Sequence, residues 1–274
     1  MSGILENVQR WWSNVLIAYG TYYDHIARGG YRPDVCAANW GNCDVGVIFG
    51  GDMDEVEIIR SYKLPQEIIN IEFKISVPTD IPIAYNKCTQ YLWDVIGADW
   101  VVWCSGDEYI TRAGDDYLYK CMEDGVTGAM PIMHHMLYAP QYCHANTLSI
   151  MNTKDRIIFD ETADGEGCEI MPPRICADDN TMFLDFGYLG TPQYSRKMDN
   201  HRYIWGEDDH KTLFLKLWNA GRKNEAVMLV YKALKDWGGT LEEINLEVYG
   251  ELIERLDLME DYKYCLDYLH ACQV

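Results

Sequence analysis

Apolar positions fall into short runs in the first part of the chain and into long stripes near its end. The runs Asn14 to Tyr19 (NVLIAY), Asp44 to Phe49 (DVGVIF), Ile68 to Phe73 (IINIEF) and Trp100 to Cys104 (WVVWC) are dense in β-branched and aromatic residues. Continuous apolar runs of this length, bounded by turn residues, predict strands buried on both faces. The second stops at Gly50-Gly51, and the fourth at the polar Ser105-Gly106-Asp107-Glu108. Helices are predicted between the strands, from Asp24 onward, over Asp54 to Tyr62 and over Ile83 to Ile96. Strands alternating with helices predict βαβ units, and hence an α/β fold with a mostly parallel sheet flanked by helices.

Beyond about Asp208 the pattern becomes long amphipathic helix, broken at Gly238-Gly239. The chain therefore reads as a domain over 1–206 and a helical C-terminal appendage over 207–274. The pieces NEAVMLVYKAL and EDYKYCLDYL overlay with a shift of 36 residues and resemble a pair of tetratricopeptide-like hairpins. Such hairpins would offer a surface to a protein partner; the alternative is that these helices pack on the first domain.

In open α/β sheets the loops at the carboxyl ends of the strands line the ligand crevice. That rule selects the turns Tyr19 to Asp24, Gly50 to Asp54 and Ser105 to Tyr109 as the places where chemistry is expected.

Composition narrows the function classes. With 274 residues, 48% of them hydrophobic and 24% charged, the chain has the makings of a sizeable core. Its formal net charge of −20 opposes non-specific binding to nucleic acid or to an anionic membrane. No apolar run approaches the roughly 20 residues of a membrane span, and no basic segment with an apolar signal core opens the chain. The expectation is a soluble, cytoplasmic protein. Its 10 cysteines form no CxxC pair and read as reduced buried thiols. Zinc at Cys36 with Cys43, or at Cys168 with Cys176, lacks a matching partner motif.

The stretch IAYNKCTQYLWDVIGADWVVWCSGDEYI, Ile83 to Ile110, carries the chemistry. A helix bearing Asn86 and Lys87 precedes a strand that delivers Asp107 and Glu108 to the crevice. Neighbouring carboxylates repel each other and are costly to desolvate, so a cation is the natural compensation. Hard oxygen donors suit Mg²⁺ or Mn²⁺, and such an ion can bridge the diphosphate of a nucleotide sugar.

On YNKC followed by WVVWCSGDEYI the chain resembles the family 2 glycosyltransferases of GT-A fold, a Rossmann-like architecture. Their hallmark is an asparagine-bearing helix, a strand and a DxD-type acidic signature. The resemblance spans roughly Val15 to Trp205, and the first acidic position of the signature falls on Ser105. It implies metal ligation by Asp107 and Glu108, and contacts to the nucleotide sugar from Asn86 and Lys87 on the helix before them. FGGDMDEVEII resembles the family's nucleotide-binding turn and implies donor contacts from Asp52 and Asp54. NVLIAYGTYYDHI resembles its first strand and loop, with Tyr19 available to stack on the base. FLDFGYLGTPQYSRKM resembles a segment in which a histidine completes the metal shell; that position is Asp185 here, and Arg196 and Lys197 would reach the diphosphate. Capping a turn is the alternative role for Asp185.

An inverting transfer needs a base to take the proton of the acceptor hydroxyl. Asp164 and Glu166 in ADGEG are ranked ahead of Asp208 in WGEDD, whose acids otherwise cap the helix that follows. His134, His135 and His144 read as packing or acceptor contacts rather than metal ligands, and Tyr138 and Tyr142 as candidate platforms for sugar rings. The leading expectation is thus a metal-dependent glycosyltransferase using a nucleotide-diphosphate-sugar donor and a hydroxyl acceptor. A nucleotidyltransferase would need a basic, glycine-rich phosphate loop that YGTYYDHIARGG does not supply. The remaining alternative is a degenerate transferase domain acting as a scaffold, which Ser105 favours.

Overall fold

A computed structural model of the chain describes residues 15–23, 32–50, 67–70, 80–126, 130–131, 133–135, 145–146, 150–152, 156, 159, 174–175, 183–186, 209–226, 228–229, 246–260, 263–264, 267 and 271. The helices expected from Asp24 and over 54–62 lie outside these residues.

Among the described residues the main sheet runs β3-β2-β1-β4-β9, formed by β1 (Ile17–Tyr23), β2 (Val45–Gly50), β3 (Glu67–Asn70), β4 (Trp100–Ser105) and β9 (Ile150–Asn152). The first four strands pair in parallel and β9 closes the edge antiparallel to β4. Because strand side chains alternate, each central strand feeds two apolar layers. Ile17, Tyr19, Ile48, Val102 and Cys104 face one, beneath α3 (Arg112–Glu123) and the short α1 (Pro33–Cys36). Ala18, Val47, Phe49, Val101 and Trp103 face the other, against α2 (Asp80–Asp94). The fold is α/β, with a mostly parallel sheet flanked by helices.

Two boundaries differ from the sequence reading, each for a packing reason. The apolar run ends at Tyr19, yet β1 continues through Gly20 and Thr21 to Tyr23. A Cβ at Gly20 would stand 2.8 Å from Leu92 Cδ1 and 2.8 Å from the Trp103 ring, so the glycine admits α2 against the sheet and is no strand breaker. Helix α2 begins at Asp80 and takes in Pro82, which the first turn tolerates because its N–H would have no helical partner there.

A second sheet, β5-β11-β7-β8, contains β5 (Glu108–Ile110), β11 (Phe183–Asp185), β7 (Met133–His135) and β8 (Ala145–Asn146), and β6 (Met130–Pro131) pairs in parallel with β10 (Arg174–Ile175) as a two-stranded sheet. The chain passes from the first sheet to the second through the turn between β4 and β5. The C-terminal region adds α4 (Asp209–Asn219) and α5 (Leu246–Arg255). Leu252, Ile253 and Leu256 bury themselves with Val35, Tyr109, Leu184 and Phe186, so α5 is seated on the back of the second sheet. The Tyr109 hydroxyl donates to Glu251 of α5 at 3.2 Å and accepts from Asn39 Nδ2 at 2.6 Å. Among the described residues no helix is long and apolar enough to cross a membrane.

Candidate functional site

Parallel register brings the selected turns together. Tyr22 of β1 lies opposite both Ser105 of β4 and Phe49 of β2, while Gly50 lies opposite Tyr23 and Asn70. The carboxyl ends of four strands thus share one edge, and the acid-bearing turn leaves from the β4 position on it.

Ser105 is fixed there by three contacts. Its N–H donates to Glu108 Oε2 at 2.8 Å, its carbonyl accepts from the Cys36 thiol at 3.2 Å, and its hydroxyl shares a hydrogen bond with the Tyr85 hydroxyl at 2.8 Å. Asp107 and Glu108 are 3% and 1% exposed. The Asp107 carbonyl accepts from Phe186 N–H at 2.9 Å, which ties the turn to the end of β11. Glu108 faces Asp185 across the β5–β11 ladder, and Asp185 in turn faces His135 across β11–β7. The structure therefore places Asp107, Glu108 and the backbone of Asp185 in one neighbourhood.

Other expected site residues are placed elsewhere. Tyr19 has no exposed surface: its ring packs edge-on to Trp40 at 5.7 Å and its hydroxyl donates to Asp115. It is a core residue, and the expectation that it stacks on a nucleobase is corrected, because β1 points residue 19 into the layer beneath α3. Asn86 is also buried, with its Nδ2 donating to the Phe159 carbonyl and its Oδ1 accepting the Phe159 N–H, each at 2.9 Å. Its amide holds backbone in this structure, whereas Lys87 beside it is exposed. Asp52, Asp54, Asp164, Glu166, Arg196, Lys197 and Asp208 lie outside the described residues.

Below the site is a polar cluster that no motif announced. Asp115 accepts from Tyr19, from Asn42 N–H at 2.9 Å and from Asn42 Nδ2 at 2.9 Å. Burial pushes its carboxyl up to about 6 despite these donors, and burial together with the Asp115 charge raises the Tyr19 hydroxyl well above its usual range. Burial likewise raises the Cys104 thiol, reinforced by the neighbouring Cys36. Cys36, Cys43, Cys88, Cys104 and Cys121 are free thiols. Sequence reading held no sign of Tyr85 or Asp115, and it offered Cys36 only as a zinc candidate rather than as the partner of the Ser105 carbonyl. The available signal for Tyr85 was its position on the apolar face of α2 with Ala84, Cys88 and Leu92, which reads as core.

The fold and the edge define the class: an α/β protein whose four parallel strands bring their carboxyl ends to one edge. No family model and no curated protein matches the chain. Solved structures similar to it include S. aureus TarS 1-349, at 13% identity over 72% of this chain and 68% of that one, with a TM-score of 0.41. A second, from Desulfovibrio desulfuricans G20, bears the name of a nucleotide-diphospho-sugar transferase and is 14% identical over 51% of this chain and 64% of that one, TM-score 0.33. A third is CMP:2-keto-3-deoxy-manno-octonic acid synthetase complexed with CTP, 13% identical over 44% of this chain and 53% of that one, TM-score 0.32. This chain thus spans about half to two thirds of the length of these three.

Proposed function

We propose that the chain is a divalent-metal-dependent glycosyltransferase that moves a sugar from a nucleotide-diphosphate-sugar donor to a hydroxyl acceptor with inversion. The observation that carries this reading is the burial of Asp107 and Glu108 just beyond β4, whose last residue, Ser105, lies opposite Tyr22 near the carboxyl end of β1. Buried adjacent acids at a ligand edge are suited to a cationic or cation-bridged ligand.

The donor set fits a hard cation in kind. Asp107 and Glu108 supply carboxylate oxygens and Asp185 stands opposite Glu108 by register, although the described side chains alone gather no group of three ligands. A bound Mn²⁺ or Mg²⁺ would supply Lewis-acid neutralisation of the charge that develops on the departing nucleoside diphosphate. In this reading Asp52 and Asp54 contact the nucleotide, while Lys87, Arg196 and Lys197 offer cations to the diphosphate. Asp164 or Glu166, with Asp208 as the alternative, accepts the proton of the acceptor hydroxyl as its oxygen bonds to the anomeric carbon and the bond to diphosphate breaks.

Titration calorimetry with a panel of nucleotide sugars, with and without Mn²⁺, tests the reading directly. Metal-dependent binding of at least one donor, with its hydrolysis or transfer, is the expected result; no heat with any of them would reject it. A second reading, a protein-binding scaffold, is favoured by one observation. Ser105 occupies the first acidic position, and Glu108 gives a carboxylate oxygen to its N–H. The same titrations decide between the two.

A further inference from the structure

Two separate parts of the chain grip the acid-bearing turn. Residues 33–39, helix α1 with the single turn Ala37–Asn39 that follows it, hold both of its ends. The Cys36 thiol donates to the Ser105 carbonyl at 3.2 Å, and Asn39 Nδ2 donates to the Tyr109 hydroxyl at 2.6 Å. That hydroxyl donates in turn to Glu251 of α5 at 3.2 Å, and Glu251 also accepts from Arg255 Nη2 at 2.7 Å. Asn39, Tyr109 and Glu251 thus form a relay from the first part of the chain to its C-terminal helix.

Strand alternation explains why this relay bears on the acids. In β5 the side chains of Glu108 and Ile110 leave by one face and that of Tyr109 by the other. Ile110 enters the core beneath α3, whereas Tyr109 is buried with α5 and with Leu184, its partner across β5–β11. Phe186, whose N–H holds the Asp107 carbonyl at 2.9 Å, belongs to that same cluster. Helix α5 therefore packs with the residue that follows Glu108 and with the residue that holds Asp107. Burial of Leu252, Ile253 and Leu256 seats the helix there, but apolar burial is non-directional. A hydrogen bond requires a distance and an angle, so the Tyr109–Glu251 contact is what sets the rotation and slide of α5 against β5.

We propose that Asn39, Tyr109 and Glu251 are positioning residues for group transfer, a clasp through which the C-terminal helix holds the turn Ser105 to Tyr109 in working geometry. The helical appendage is then part of the catalytic unit. The inference rests on the transferase reading for the reaction it serves, and the clasp itself rests on geometry alone.

The full-length protein tests it through three variants. Tyr109→Phe keeps the buried ring and removes both hydrogen bonds, Glu251→Leu removes the acceptor on α5, and Glu251→Gln keeps an oxygen acceptor. With a donor that the wild type turns over, Tyr109→Phe and Glu251→Leu are each expected to lower kcat by about tenfold with donor KM within about twofold. Glu251→Gln should stay within about threefold of wild type. Tyr109→Phe combined with Glu251→Leu should lose less than the product of the two single losses, since both break one shared contact. Amide exchange of a peptide spanning residues 105–110 should quicken by about threefold or more in Tyr109→Phe and Glu251→Leu, while a peptide spanning β2 stays as in wild type. Unchanged exchange at 105–110, or equal quickening in both peptides, would overturn the clasp. Local quickening with wild-type kcat would overturn the positioning role. A wild type that turns over no nucleotide sugar with Mn²⁺ sinks the transferase reading and the kinetic half of this inference, while exchange still decides the clasp.

Discussion

Glu108 turns its carboxylate back to the main-chain N–H of Ser105, 2.8 Å away. The turn that carries two acids is therefore closed by one of them. The Asp107 carbonyl joins the same turn to Phe186.

The first consequence concerns Asp107. Replacing it with Asn preserves size and the backbone contact, so the melting temperature should stay close to wild type. Donor turnover should fall by about 10²-fold or more, as expected for loss of electrostatic stabilisation at the reacting group. Parallel kinetics and thermal melts check both halves, and wild-type turnover in this variant would remove Asp107 from the site.

Glu108 should behave differently. Glu108→Ala leaves the Ser105 N–H without this acceptor and should cost about 1–3 kcal/mol of stability. Glu108→Gln retains an oxygen acceptor and should cost less. Urea unfolding curves of the two variants give the comparison, and equal stabilities would show that the closure contributes nothing.

The buried Asp115 predicts a pH signature. Its carboxyl titrates near 6 when folded, against about 3.9 in an unfolded chain. The folded state therefore holds more protons between those values, and the contribution of this group is present at low pH and lost as pH rises through about 4 to 6. Holding the carboxyl at about 6 rather than about 3.9 corresponds to about 3 kcal/mol. Subtracting the stability curve of Asp115→Asn from that of wild type isolates this slope. A flat difference across the window would show that the group titrates normally.

Gly20 offers a test of the fold itself. Gly20→Ala places a methyl 2.8 Å from Leu92 and Trp103, and overpacking of a full core should cost about 1–3 kcal/mol. Thermal unfolding reads the loss. Pairing it with Leu92→Ala, which opens space beside the new methyl, should give less than the sum of the two single losses.

Much of this architecture could be read along the chain because burial on both faces leaves a local trace. DVGVIF and WVVWC are unbroken apolar runs, and β2 and β4 follow them within a residue. Gly20 and Thr21 carried no such trace. They look like a break, and only contact with Leu92 and Trp103 shows that they continue a strand. Tyr19 and Asn86 mislead for a related reason. A polar group on a strand or helix reads the same whether it meets a ligand or a buried partner, and Asp115 and Phe159 lie 96 and 73 residues away.

By itself the sequence determined the alternation of strand and helix, the placement of Asp107 and Glu108 just beyond a central strand, and a charge hostile to polyanions. Those properties depend on periodicity and composition, which are local or additive. Tertiary structure alone decided that Ser105 is held by Tyr85, Cys36 and Glu108, that Tyr19 belongs to the core, and that α5 closes the back of the second sheet. Each of these joins side chains through directional hydrogen bonds or close packing between separate elements. Such partners are selected by how the layers come together, a relation that no single stretch of sequence contains.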